Sequence, residues 1–192
     1  MNAFLIDCEH LSRVCGRLRK DLPQMTGHAV PEADLARWLE CALLDALQAA
    51  GITDTKAATG TTQVYLFHEN GAETLENFLP THFNTELDGQ AFNGPAGEFL
   101  LAACPTQPNL GSKETLYCET LQSLLRTGKS NLIIIAADFE AYGTRIDQLL
   151  ADYPDARAIL LTLSPDTGSN NRATQIGFSL LAALGIRSSE IQ

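Results

Sequence analysis

The sequence predicts an α/β domain with a mostly parallel sheet, and three observations carry that reading. Short apolar runs rich in β-branched residues recur along the chain, the clearest being Leu132, Ile133, Ile134 and Ile135 within NLIIIAADFEAYG. Runs of this kind, bounded by polar residues, read as strands buried on both faces. Stretches with helical spacing separate them, as parallel strands joined by right-handed crossovers require. Two of the strands run straight into an acid, Asp7 after the first and Asp138 after the central one. Ligands of open parallel sheets sit beyond the carboxyl ends of the strands. Asp138 therefore stands where chemistry would be done.

Taken in order, residues 3–6 form the first strand, and a helix follows with Leu11, Val14, Cys15 and Leu18 on one face and Arg17, Arg19 and Lys20 on the other. Pro23 and Gly27 are expected to break it. A second amphipathic helix is expected to start near Pro31, a residue pre-set for a first turn, with Glu32 and Asp34 at its positive end. It runs through Leu35, Trp38, Leu39, Ala42, Leu43, Leu44 and Leu47, expected as core, and stops at Gly51. Residues 62–67 give a second strand, 72–79 a short helix ended by Pro80, and 81–97 a loop rich in Asn and Gly. Residues 98–104 read as a third strand, with a buried helix turn as the alternative. Ser112 has the chemistry of an N-cap for a helix ending before Gly128. After the central strand and its helix come a fifth strand over 156–163 and a final helix through Ile176, Leu180, Leu181 and Leu184, closed by Gly185. Five strands alternating with helices account for residues 1–192 as a single domain.

Bulk properties narrow the function. The chain has 192 residues, 45% of them hydrophobic and 19% charged, the composition of an ordinary globular domain. No apolar run approaches the ~18 residues of a membrane span, and the N-terminus lacks the pattern of a signal peptide. The expectation is a cytoplasmic protein with no membrane partner. Five scattered cysteines form no zinc spacing and read as reduced thiols packed as small hydrophobes. A formal net charge of −10 repels nucleic-acid phosphates at long range, so any RNA role must rest on a local basic patch or a metal ion.

Asp7 and Asp138 share one edge of the sheet if their strands are parallel neighbours. Glu114, in the first turn of the helix after the third strand, begins at that same edge. Three such carboxylates can hold Mg²⁺ or Mn²⁺, hard ions that favour oxygen, and a metal there can activate water against a phosphodiester. Glu9, close to Asp7, either supports the ligands from behind or is itself a ligand. Glu119 and Asp147 fall on the wrong helical faces. Asp166, Ser169, Asn170 and Asn171 reach the same edge if the topology holds. The plainer alternative is that Asp7, Asp138 and Glu114 only cap helices or favour their positive ends. His10, His28, His68 and His82 read as surface or satisfied polar residues, and Lys113 as a solvated helix-start lysine, with a phosphate contact as its alternative. The NGPAG stretch at 93–97 lacks the Lys-Ser/Thr pair of a phosphate loop.

FLIDCEHL (residues 4–11) resembles the opening strand and turn of the NYN branch of PIN-like nuclease domains, which commonly read IDxEN. IIIAADFEAYGTRIDQLL resembles their later strand, turn and helix, usually close to SGDSDF, and GSKETLYCETL loosely resembles the Lys-and-acid helix before it. The resemblance implies a three-layer α/β/α sandwich with the first and fourth strands adjacent. It also implies an acidic site for Mg²⁺ or Mn²⁺ and, in active members, RNA cleavage. Asp7 and Asp138 match the motif acids, and Glu114 is matched by position. The first acid of the GDxDF segment falls on Ala136, and His10 stands where Asn is usual. Losing a ligand to alanine removes charge that a metal site must recover elsewhere. A nucleotide-binding doubly wound domain is a third possibility, and the missing Gly-rich turn after the first strand counts against it. Two functions follow as the leading expectations. One is a PIN/NYN-like domain with an eroded acidic site, acting through a ligand, a protein partner or a second copy of itself. The other is a Mg/Mn-dependent ribonuclease with Asp7, Glu114 and Asp138 holding the metal.

Overall fold

The computed structural model describes residues 1–53, 60–107, 109, 111–163, 172–187 and 190. In chain order the strands are β1 (Asn2–Asp7), β2 (Ala33–Asp34), β3 (Thr61–His68), β4 (Phe78–Leu79), β5 (Ala91–Gly94), β6 (Gly97–Pro105), β7 (Ile133–Ala136), β8 (Ala158–Thr162) and β9 (Ala173–Gln175). The helices are α1 (Cys8–Thr26), α2 (Leu35–Ala49), α3 (Lys113–Thr127), α4 (Phe139–Ala151) and α5 (Ile176–Ala183). A seven-stranded sheet has the order β5-β6-β3-β1-β7-β8-β9. All its pairings are parallel except β5 with β6.

The order places β1 at the centre, and the chemistry of its residues explains why. Every residue of NAFLID is buried, so the strand has no solvent face and needs a neighbour on each side. Alternation then divides its side chains between two cores. Phe4 and Ile6 join α1, α2 and α5 on one face, while Ala3 and Leu5 join α3 and α4 on the other. Trp38 of α2 anchors the first core, with its ring 5.3 Å from that of Phe4 and 6.0 Å from Phe78. The chain proceeds from β1 through β3 to β6, then returns to place β7 on the other side of β1. That reversal point lies between β1 and β7, where Ile6 is in register with Ala136. Asp7 and Asp138 flank it.

Several expectations are corrected. Among the described residues the main sheet has seven strands rather than five, and β2 and β4 form a second sheet of two strands. Residues 72–79 are not helical, because Asn77 sits at φ 70° and the chain after it pairs with Ala33 and Asp34. That pairing keeps residues 33–34 extended, so α2 starts at Leu35 behind an Asp34 cap, which accepts from the Arg37 amide at 3.0 Å, and Pro31 stays outside. Pro23 does not break α1. It falls in the last turn, and the helix runs on to Thr26 before Gly27 at φ 74° ends it by donating to the Pro23 carbonyl. The supposed loop at 81–97 contains a π-helical turn (Phe83–Leu87) and strand β5, with NGPAG as the hairpin turn into β6. His68 is buried and stacked on Phe83 at 3.9 Å, and its Nε2 has no hydrogen-bond partner among the described residues. Among the described residues no helix is long and apolar enough to cross a membrane.

Candidate functional site

Asp7 ends β1, Asp138 stands two residues beyond the end of β7, and each caps the helix that follows. Asp7 accepts from the His10 amide at 3.0 Å, and Asp138 from the Glu140 amide at 3.2 Å. The capping alternative is therefore real for both, but neither acid stops there.

Asp7 is the centre of a closed cluster. Its Oδ1 also accepts from Lys113 Nζ at 2.7 Å, and its Oδ2 from the Tyr142 hydroxyl at 2.5 Å. Lys113 Nζ donates a second bond to Glu9 Oε2 at 2.5 Å, and Glu9 Oε1 takes the Glu69 amide at 2.8 Å. The side chains of Asp7 and Lys113 are only 2% and 10% exposed. A buried carboxylate needs such partners, since an ion left unpaired in the interior is costly. Burial pulls the Lys113 ammonium down, but its hydrogen bonds to Asp7 and Glu9 and their charges outweigh this and leave it raised. Burial, reinforced by the bond to Asp7, also raises the Tyr142 phenol. The cluster sets the raised Lys113 ammonium between Asp7 and Glu9, with the Tyr142 hydroxyl sealing Asp7.

Asp138 belongs to a second, more open group. Arg13 Nη2 donates to its Oδ2 at 2.5 Å and approaches His10 Nδ1 at 3.3 Å, while His10 Nδ1 lies 4.0 Å from the same carboxylate oxygen. Burial pushes the Asp138 carboxyl up, yet Arg13, His10 and the Ala141 amide together carry it below the usual carboxylate range. Burial lowers His10, only partly opposed by Asp138 and Asp7, so the imidazole is neutral at pH 7. A depressed carboxyl stabilises the fold above its unfolded value of about 3.9 and loses that contribution as pH falls through its folded value. Arg13→Gln should therefore lower the melting temperature most above about pH 5, and the gap from wild type should close in acid. A gap constant from pH 7 to pH 2 would remove Asp138 as the partner responsible.

Glu114 is not gathered with the other two acids. It lies on the outer side of α3 and pairs with Arg145 at 3.7 Å, both side chains being well exposed. Its neighbour Lys113 enters the cluster instead, so the expectation of a solvated lysine is corrected. The argument that brought Glu114 to the edge, its place in the first turn after β6, held equally for Lys113. Glu9 takes the place foreseen for a second group beside Asp7. Tyr142 and Arg13 were missed: Tyr142 lies one helical turn beyond Asp138 and Arg13 lies one turn beyond His10, spacings that put each on the face of a residue already singled out. Glu119 and Asp147 are exposed on α3 and α4. Asp166, Ser169, Asn170 and Asn171 lie outside the described residues.

The donor set does not fit a hard divalent ion. Both oxygens of Asp7 are taken, Lys113 stands between Asp7 and Glu9, and Arg13 neutralises Asp138. Among the described residues no three His, Cys, Asp or Glu side chains are placed to hold a metal. Beside Asp138 a cleft of about 490 Å³ opens between α1, the start of α4 and the end of β8.

Residues 1–191 match the model of a family described as a family of unknown function (DUF6621). No curated protein and no solved structure matches the chain.

Proposed function

The chain belongs to this DUF6621 family, whose description names no activity, and we propose from the site itself that it is a PIN/NYN-like domain that binds a ligand at its carboxyl edge and does not cleave RNA. Lys113 carries this reading. Its ammonium, 2.7 Å from Asp7 and 2.5 Å from Glu9, supplies the positive charge that a nuclease of this kind would take from Mg²⁺ or Mn²⁺. Fixed on a buried side chain, that charge can neither coordinate water nor polarise a phosphodiester. The three-layer PIN-like arrangement is part of the proposal. It draws support from the adjacency of β1 and β7 and from the helices on both faces of the sheet. A small ligand is favoured over a protein partner because the open side of the site is a cleft and not a flat apolar surface.

Calorimetric titration of Mn²⁺ into wild type, Asp7→Asn and Asp138→Asn tests the proposal. We expect no saturable binding to wild type at millimolar Mn²⁺ and no Mn²⁺-dependent cleavage of single-stranded RNA. Saturable binding in wild type that both substitutions abolish would overturn it and reinstate the ribonuclease.

A further inference from the structure

Three residues of α1, His10, Arg13 and Arg17, line one wall of the cleft beside Asp138. Their spacing of three, then four, stacks them on a single helical face. The cleft lies at the carboxyl edge beside the reversal point between β1 and β7, where ligands of open α/β sheets collect. Arg13 gives one nitrogen to Asp138, and a guanidinium has five N–H donors in all. Arg17 is exposed and makes no ion pair or hydrogen bond among the described residues. In a chain of net charge −10, the two arginines of this cleft balance its two carboxylates, Asp138 and Glu140, and with Arg13 paired to Asp138 the cation left to a ligand is Arg17. Away from α1 the lining mixes apolar Phe139, Leu161 and Leu163 with polar Asp138, Glu140 and Thr162, and Leu163 is 55% exposed.

We propose that this cleft binds a small phosphate monoester carried on an apolar, ring-sized body, a ligand of the size and chemistry of a nucleoside 5′-monophosphate. Arg17, helped by the outer nitrogens of Arg13, takes the phosphate in the forked geometry that guanidinium offers to oxyanions. The imidazole of His10 adds a hydrogen bond and no charge. The ring lies against Phe139 and Leu163. The carboxylate of Glu140, also at the mouth, repels a phosphate placed near it, so the phosphate lies on the α1 side. A volume of about 490 Å³ is within the range of small-molecule clefts and accommodates one such ligand.

The inference rests on the binding reading above. Its test is calorimetry at low salt with AMP, adenosine, inorganic phosphate and a 5′-phosphorylated oligonucleotide on wild type, Arg17→Ala and Leu163→Ser. AMP should bind wild type at one site, about tenfold or more tighter than adenosine or phosphate alone. Arg17→Ala should weaken AMP about tenfold and leave adenosine unchanged, whereas Leu163→Ser should weaken AMP and adenosine alike and leave phosphate unchanged. Both positions are exposed, so neither variant threatens the fold. Absence of saturable AMP binding overturns the inference, as does AMP binding that ignores Arg17→Ala, or binding confined to a 5′-phosphorylated oligonucleotide. The Mn²⁺ titration on the same samples separates the two failures. With neither AMP nor Mn²⁺ bound, only the ligand assignment falls, whereas saturable Mn²⁺ binding overturns the non-cleaving reading itself.

Discussion

Replacing Lys113 with methionine is expected to lower stability at neutral pH by about 3–5 kcal/mol, the cost of removing one partner from a buried ion pair. Methionine fills much of the same space, so the loss reports charge more than volume. Asp7 would be left buried with only the Tyr142 hydroxyl and the His10 amide, and it could not recover water without opening the junction of β1 and α1. The double variant Lys113→Met with Asp7→Asn should regain a large part of the loss, because the stranded charge is gone. Glu9 is 37% exposed on its side chain and can rehydrate, so Glu9→Gln should cost far less. Denaturant unfolding of the four proteins gives the comparison. A loss below about 1 kcal/mol for Lys113→Met, the range of a surface pair, would show that the ion pair is not a buried one. The pH profile offers a second check. Lys113 and Tyr142 are both raised, so their contributions are complete below the unfolded values of about 10 and are lost as pH rises through the folded ones. Wild type should therefore weaken in alkali more steeply than Lys113→Met does.

Asn77→Ala is expected to cost about 2–4 kcal/mol, summing a left-handed residue without a compensating side chain and two lost hydrogen bonds. Asn77 sits at φ 70°, accepts from Arg19 Nη1 at 2.7 Å and donates to the Ser12 carbonyl at 3.1 Å. Its own carbonyl takes the Ala33 amide at 2.9 Å. One side chain thus fastens the segment before β4 to α1, the helix that presents Glu9, His10 and Arg13. Asn77→Gly keeps the backbone conformation at no steric cost and should recover about 1 kcal/mol relative to alanine. Equal losses for the two variants would mean that conformation contributes nothing and the hydrogen bonds everything.

The parts of the fold legible in the sequence are those where local pattern and burial agree. LIII and NAFLI are apolar in every position that matters, and such runs find a sheet centre in almost any context. The acids after them mark the strand ends, which is why Asp7 and Asp138 could be placed at one edge before any coordinates. The strands β2 and β4 were not legible, because two-residue pairings carry no period. Nor was β5, where AFNG looks like the loop it adjoins. Lys113 shows a different limit. A lysine beginning a helix is ordinarily solvated, and only the arrival of Asp7, distant in sequence, turns it inward. Glu114, one residue on, has the better local chemistry for a metal and yet points at Arg145. Which of two adjacent side chains enters a site is decided by helix rotation against the sheet, and that is set by the core residues Tyr117, Cys118 and Leu121 of α3.

The lateral strands of the main sheet are its shortest or nearly so: β5 has 4 residues and β9 has 3, against 6 in β1, 8 in β3 and 9 in β6. Unpaired amides and carbonyls on an outermost strand are what a second chain would zip onto, and aggregation through strand addition grows with the length of that template. Here the long, strongly apolar strands are all interior, and β5 ends at a Gly-Pro hairpin turn that cannot extend the ladder. The same arrangement that puts β1 at the middle of the sheet also keeps its most adhesive segments from meeting another molecule sideways.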